Sequence, residues 1–319
     1  MKHIFFKAGQ EGRNDILSYF LTIVLVGVFV VVAQIPITMA IFKSGNAHEA
    51  AAGIIDIQNL GIPEWLALAL MLLSFAVGLL GLIWLIRAIH KRHPLTMFTA
   101  FEKMNWSKIG FSALLWLILA IIAELIAYAI SSLEIYSFTF DARRFFPVLI
   151  ISLLMFPLQT TFEEVFFRGY LMQGFGLAFK NATIPLIVTS VLFGLMHGLN
   201  PEVAEFGEHI LWYYVGTGLF LGIITLMDES LELAMGVHAA NNLFGALLVT
   251  FPSSALSTPA LFTISEYNVG LMIGFWVVMV LIYMVIVQRK YEWSDWKKLV
   301  SKIEYNEYNE YNGENEQKV

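Results

Sequence analysis

Two adjacent carboxylates and a guanidinium, Glu163, Glu164 and Arg168, stand within six residues of one another inside a segment that otherwise reads as hydrocarbon. A charged group at the bilayer centre costs about 2.5 to 3.5 kcal/mol even on the lenient insertion scale, so such a cluster needs partners, water or a function. Residues three and four apart share a helical face, which puts Thr160, Glu163 and Glu164 on one polar stripe with Gln159 at its edge. Arg168 lies one turn beyond Glu164 and can pair with it. Glu163 is then the carboxylate without a local partner.

Further polar groups occur in two other apolar runs. Phe193 and His197 are four apart, as are His238 and Asn242, so each pair projects from one face. A lone membrane histidine is usually a packing residue; two of them, an amide and an unpaired glutamate are affordable together only around a shared cavity. Two chemistries fit that set. Glu163 could act as general base on a water oriented by His197 and His238, with Asn242 or an imidazolium stabilising an oxyanion. Alternatively His197, His238 and Glu163 or Glu164 could hold a divalent metal such as zinc that carries the water. Both lead to amide hydrolysis. Thr160 and Thr161 have no evident base and read as hydroxyls bonded to their own helix.

The elements that must position these groups are membrane helices. The chain has 319 residues, 58% hydrophobic and only 14% charged, which defines an all-α, polytopic membrane bundle. With about 20 apolar residues per crossing, the runs fall near 16–42, 63–87, 108–131, 146–175, 183–200, 209–227, 231–250 and 268–288, about eight in all. The first is too long for a signal-peptide core and is read as a retained helix. There is no cysteine, which excludes disulfides, thiolate metal sites and a cysteine nucleophile. Nothing in the composition suggests nucleic acid as a partner; the lipid bilayer is the surrounding medium.

Arg87, Lys91, Arg92, Lys103 and Lys108 between the second and third runs, and Arg289, Lys290, Lys297 and Lys298 after the last, place those loops and both termini in the cytoplasm of a cell-membrane protein. Trp65, Trp106, Trp116, Trp212 and Tyr214 near run ends read as interfacial anchors. Gly218 and Gly222 allow a close helix approach, Glu124 reads as a buried polar contact in preference to an unrelated ion site, and Pro157 reads equally as a kink ahead of Glu163 or as a proline tolerated in a membrane helix. The organisation is three N-terminal spans with a basic loop over 1–145, a catalytic core over 146–250, a last span within 251–290, and a cytoplasmic, disordered tail over 291–319. In that tail Glu-Tyr-Asn repeats, while Trp293, Trp296 and nearby lysines could form a short interfacial helix. One difficulty is depth: Glu163 falls near mid-membrane, whereas His197 falls toward the far end of a helix starting near 183.

The segment Glu163-Glu164-Val165-Phe166-Phe167-Arg168-Gly169-Tyr170 resembles the EExxxR motif, with its FRGY extension, of the CAAX protease and bacteriocin-processing (CPBP) family of intramembrane proteases. Phe193 to His197 resembles the FxxxH motif of that family, and His238 to Asn242 its HxxxN motif. All three occur in the family's order on separate hydrophobic runs. The resemblance covers about a third of the chain and implies an eight-helix protein that cleaves a membrane-anchored protein or peptide. CAAX-type C-terminal processing or bacteriocin-related processing would be such a reaction. It also implies Glu163 as the base, His197 and His238 as holders of water or metal, Asn242 at the oxyanion, and Glu164, Arg168 and Phe193 in support. The alternative is a non-catalytic membrane scaffold or a bacteriocin self-immunity protein on the same framework.

Overall fold

The computed structural model describes residues 3–45, 57–130, 135–255, 257–266 and 268–305. A short helix α1 (Ile4–Ala8) precedes α2 (Ile16–Ser44), α3 (Glu64–Ala88) and α4 (Trp106–Ile130). Then α5 (Ala142–Glu164) runs without interruption into a π-helical segment (Val165–Met172) and α6 (Gln173–Phe179). After it come α7 (Thr183–Met196), a short α8 (Pro201–Phe206), α9 (Leu211–Asp228), α10 (Glu232–Leu247) and α11 (Val269–Lys290).

Among the described residues, six helices are long and apolar enough to cross a membrane. All eight apolar runs are helical, but α7 has 14 residues and α10 has 16, below the length that spans a hydrocarbon core unaided. A small sheet joins the ends of three helices: β1 (Tyr136–Phe138) pairs antiparallel with β3 (Phe262–Ile264), which pairs parallel with β2 (Val249–Thr250). It is the one departure from the all-α expectation among the described residues.

Local chemistry explains the helix limits. Asp15 accepts from the Ser18 amide at 2.9 Å at the start of α2, and Gly45 ends it in the left-handed region at φ 83°, the usual glycine stop. The faces are inverted relative to a soluble protein. On α2, Leu17, Phe20, Val31 and Val32 are exposed while Ser18, Thr22, Ala33 and Ala40 are buried, because small and hydroxyl residues let helices approach when lipid is as apolar as leucine.

The main core gathers Val26, Leu82, Leu85, Phe162, Val165, Tyr170, Phe193 and Met235 around the π-helical segment. A second, around Trp116, Phe220, Val237 and Tyr283, binds α4, α9, α10 and α11. Trp65, Trp106 and Trp212 are exposed at helix ends, in line with anchors. Trp116 is not one: it is 1% exposed and stacks on Phe220 at 5.5 Å.

At the end opposite the sheet, α1 and the residues after α11 fold over the bundle. Phe5 and Phe6 are fully buried; the Phe5 amide donates to Glu229 Oε2 at 2.7 Å, and Gln173 Nε2 donates to the Phe5 carbonyl at 2.8 Å. Residues 291–305, placed in a disordered tail by the sequence, are ordered here. Trp293 and Ile303 are buried, Lys298 Nζ donates to the Met227 carbonyl at 2.9 Å and pairs with Glu229 at 3.2 Å, and Trp296–Val300 forms a 3-10 turn. The polar composition of the repeats masked that this stretch carries enough apolar surface to dock. Residues 306–319, with most of the Glu-Tyr-Asn repeat, lie outside the described residues.

Candidate active site

The chain from Ala142 to Phe179 is one continuous helical rod, longer at both ends than the 146–175 run, and α7 starts only four residues later. Counted from that turn, Glu163 is about 24 Å along one helix and His197 about 21 Å along the next, at 1.5 Å per residue. The two therefore lie at one level, since nearly equal lengths of helix reach them from one turn.

Pro157 does not interrupt α5, which is regular to Glu164. The irregularity follows the glutamates instead, as the π-helical turns of Val165–Met172; such wide turns cluster at functional sites. Gly169 sits where a side chain would collide with the Met97 carbonyl oxygen, so this part of the rod is packed tightly against the loop before α4.

Glu164 and Arg168 are both fully buried. Arg168 Nη1 donates to Glu164 Oε1 at 2.9 Å, and Nη2 donates to the Gly218 carbonyl at 3.0 Å. The guanidinium lies 4.6 Å from the Phe193 ring centroid. Gly218 is tight for the same reason that it was singled out: a Cβ there would stand 2.9 Å from Ser190 Cα, so α7 and α9 are in backbone contact. His238 bridges the two glutamates. Its Nδ1 lies 2.7 Å from Glu164 Oε1 and its Nε2 3.6 Å from Glu163 Oε2. With Nδ1–H donating to the Glu164 carboxylate, Nε2 presents a lone pair toward Glu163.

Glu163 is not without a local partner: Gln159 Nε2 donates to its Oε1 at 2.5 Å. Asn242 Nδ2 in turn donates to Gln159 Oε1 at 3.0 Å. The other oxygen, Glu163 Oε2, is buried with no hydrogen-bond partner, and an orphaned buried acceptor calls for a missing partner. Thr160 bonds back to the Phe156 carbonyl at 3.0 Å, the helix-face role read from sequence.

His197 ends α7, with Nδ1 held 2.8 Å from the Phe193 carbonyl. Its ring stacks on Tyr214 at 4.2 Å and 16°, and Phe193 lies edge-on to His238 at 5.9 Å. Tyr214, taken for an anchor, is thus the platform for a site histidine. No sequence signal marked it, since the contact joins two helices through packing alone. Gln159 had a signal in its i−4 relation to Glu163.

The structure therefore joins Glu163, Glu164, Arg168 and His238 directly, and Asn242 through Gln159. His197 stands beside them through Phe193, whose ring meets both imidazoles. Among the described residues, no three of His, Asp and Glu converge as a metal-holding group. The candidate ligands His197, His238 and Glu163 are thus not gathered as a ligand set, and the chemistry below is derived from side chains alone.

Carboxylates, an imidazole and side-chain amides are thus joined inside a multi-pass helical bundle. The model of the type II CAAX prenyl endopeptidase Rce1-like family matches residues 143–244, a span that contains every residue of this cluster. Uncharacterized protein YyaK of Bacillus subtilis (strain 168) is 32% identical over 263 residues, which cover 81% of this chain and 86% of that protein. No solved structure matches. The chain belongs to the CAAX protease (CPBP) family of membrane endopeptidases.

Proposed function

We propose that the protein is an intramembrane endopeptidase that hydrolyses a peptide bond of a membrane-anchored protein or peptide with a water activated by Glu163. The observation that carries this reading is the pairing of an unsatisfied, buried Glu163 Oε2 with His238 Nε2 at 3.6 Å. A water about 2.8 Å from each would satisfy both acceptors.

Glu163 takes the proton as the water oxygen bonds to the scissile carbonyl carbon, whose oxygen becomes the oxyanion. The Asn242 amide has a second N–H to offer that oxyanion. Glu163 then returns the proton to the leaving nitrogen as the C–N bond breaks. His238 holds the water, kept in orientation by Glu164, which Arg168 neutralises; Phe193 packs against both rings and the guanidinium. His197 has Nδ1 engaged by the Phe193 carbonyl, which leaves Nε2 as the ring nitrogen for water or substrate. Eight membrane traversals, with both termini cytoplasmic, accommodate this arrangement and agree with the excess of Lys and Arg at the end of the bundle that carries α1.

The test is cleavage of prenylated and unprenylated CAAX peptides by protein purified in detergent, read by mass spectrometry. Glu163→Gln should lower the rate by about 100-fold or more, the usual worth of a general base. Unchanged cleavage by that variant would remove Glu163 from the chemistry.

A further inference from the structure

Behind α10, on the side away from Glu163, lies a cavity of about 230 Å³ bounded by α4, α9, α10, α11 and the small sheet. Two carboxylates face it, Glu124 from α4 and Glu266 beside β3. Glu124 sits within a membrane-spanning helix, and Tyr136 Oη donates to its Oε1 at 2.6 Å. This is the polar contact expected for Glu124, though the residue is half-buried rather than buried, and a phenol supplies no positive charge. None of the described residues lining the cavity is Lys, Arg or His.

The remaining wall is aromatic. Trp116, Tyr136, Tyr213, Phe275 and Trp276 all contribute, and Tyr213 and Trp276 meet edge to face at 5.4 Å. Aromatic faces are negative, and a cation within about 6 Å of a ring centroid is attracted to them. Carboxylates and ring faces together select a cation with an apolar stem, and repel anions. The volume suits one lysine or arginine side chain.

The cavity is linked to the reactive centre through α10. Asn241 lines it, accepts from Trp116 Nε1 at 3.3 Å, and donates to Asn242 Oδ1 at 3.4 Å. Asn242 leads through Gln159 to Glu163. An occupant here is separated from the oxyanion donor by α10 and linked to it through Asn241, the place of a substrate residue held at a remove from the scissile bond.

We infer that this cavity is a specificity subsite for a basic side chain of the peptide substrate, with Glu124 as the counter-charge and the aromatic wall holding the aliphatic stem. The choice of a peptide as the source of the cation rests on the endopeptidase reading. The cation site itself does not.

The test measures binding of farnesylated octapeptides to full-length Glu163→Gln protein in a maltoside detergent, so that hydrolysis is not required. A single lysine is walked along the peptide, each position paired with its norleucine analogue. At one position lysine should bind about 10-fold tighter than norleucine, and n-butylammonium should compete. Adding Glu124→Gln should bring the lysine-to-norleucine ratio near one, with Glu266→Gln lowering it less. The ratio is read within each variant, and thermal unfolding checks that each is folded.

The inference is overturned by no lysine preference at any position, or by a preference that Glu124→Gln leaves intact. It is equally overturned if dodecylphosphocholine competes and n-butylammonium does not, which would make the occupant a lipid headgroup. Lysine-selective binding without cleavage of any peptide by the unmodified protein would uphold the cation site and sink the endopeptidase reading.

Discussion

Removing Arg168 alone should be among the most destabilising single changes in this bundle. Its guanidinium is fully buried, neutralises Glu164 at 2.9 Å and fills the Gly218 carbonyl at 3.0 Å. Arg168→Met keeps much of the volume but leaves the Glu164 carboxylate with His238 as its remaining partner, while Glu164 Oε2 is already unpaired. Breaking one side of a buried ion pair costs about 3 to 5 kcal/mol; the Gly218 carbonyl loses the guanidinium but keeps its place in the hydrogen-bond ladder of α9. Neutralising both partners removes the largest part of that penalty. Glu164→Gln combined with Arg168→Met should therefore be more stable than Arg168→Met alone, with a coupling of about 2 to 3 kcal/mol in the cycle. Equilibrium unfolding in mixed micelles titrated with SDS gives all four corners. A loss below about 1 kcal/mol for Arg168→Met, far under the range for a broken buried pair, would refute the reasoning, as would strict additivity.

Gly169→Ala should destabilise by about 1 to 3 kcal/mol, the range for overpacking, because the new Cβ meets the Met97 backbone carbonyl rather than a movable side chain; the same SDS titration reads it. Peptide cleavage should withstand exhaustive chelation, since the described His, Asp and Glu side chains form no metal-holding group. Loss of cleavage on chelation with recovery on adding zinc would contradict that. His90, beyond the end of α3, is 1% exposed, with Nδ1 on the Arg13 carbonyl at 2.7 Å and Nε2 on Tyr170 Oη at 3.0 Å. Burial lowers its pKa in the folded state, so the unfolded chain binds more protons as pH falls below about 6.5. Thermal stability should accordingly be full above that pH and decline below it, and His90→Gln should flatten the decline.

Much of this protein is written in its sequence because the membrane leaves few choices. Apolar runs in lipid must be helices, since no water is present to satisfy an exposed backbone, and every one of the eight runs is helical. Glu164 with Arg168, and His238 with Asn242, were readable as same-face pairs because helical spacing is local. What spacing could not supply was how the helices meet. That His238 reaches both glutamates, that Gln159 ties Asn242 to Glu163, that Tyr214 carries His197, and that Trp116 is core rather than anchor all depend on contacts between helices distant in sequence. Pro157 lies within an uninterrupted α5, and the wide turns after Glu164 had no signal in the spacing. Residues 291–305 dock because Trp293 and Ile303 find an apolar surface that exists only once the bundle is assembled. Sequence thus determined the helices, the membrane and the polar residues that needed an explanation. Which oxygen of Glu163 is left without a partner was decided by tertiary packing, because hydrogen-bond satisfaction depends on every neighbour at once.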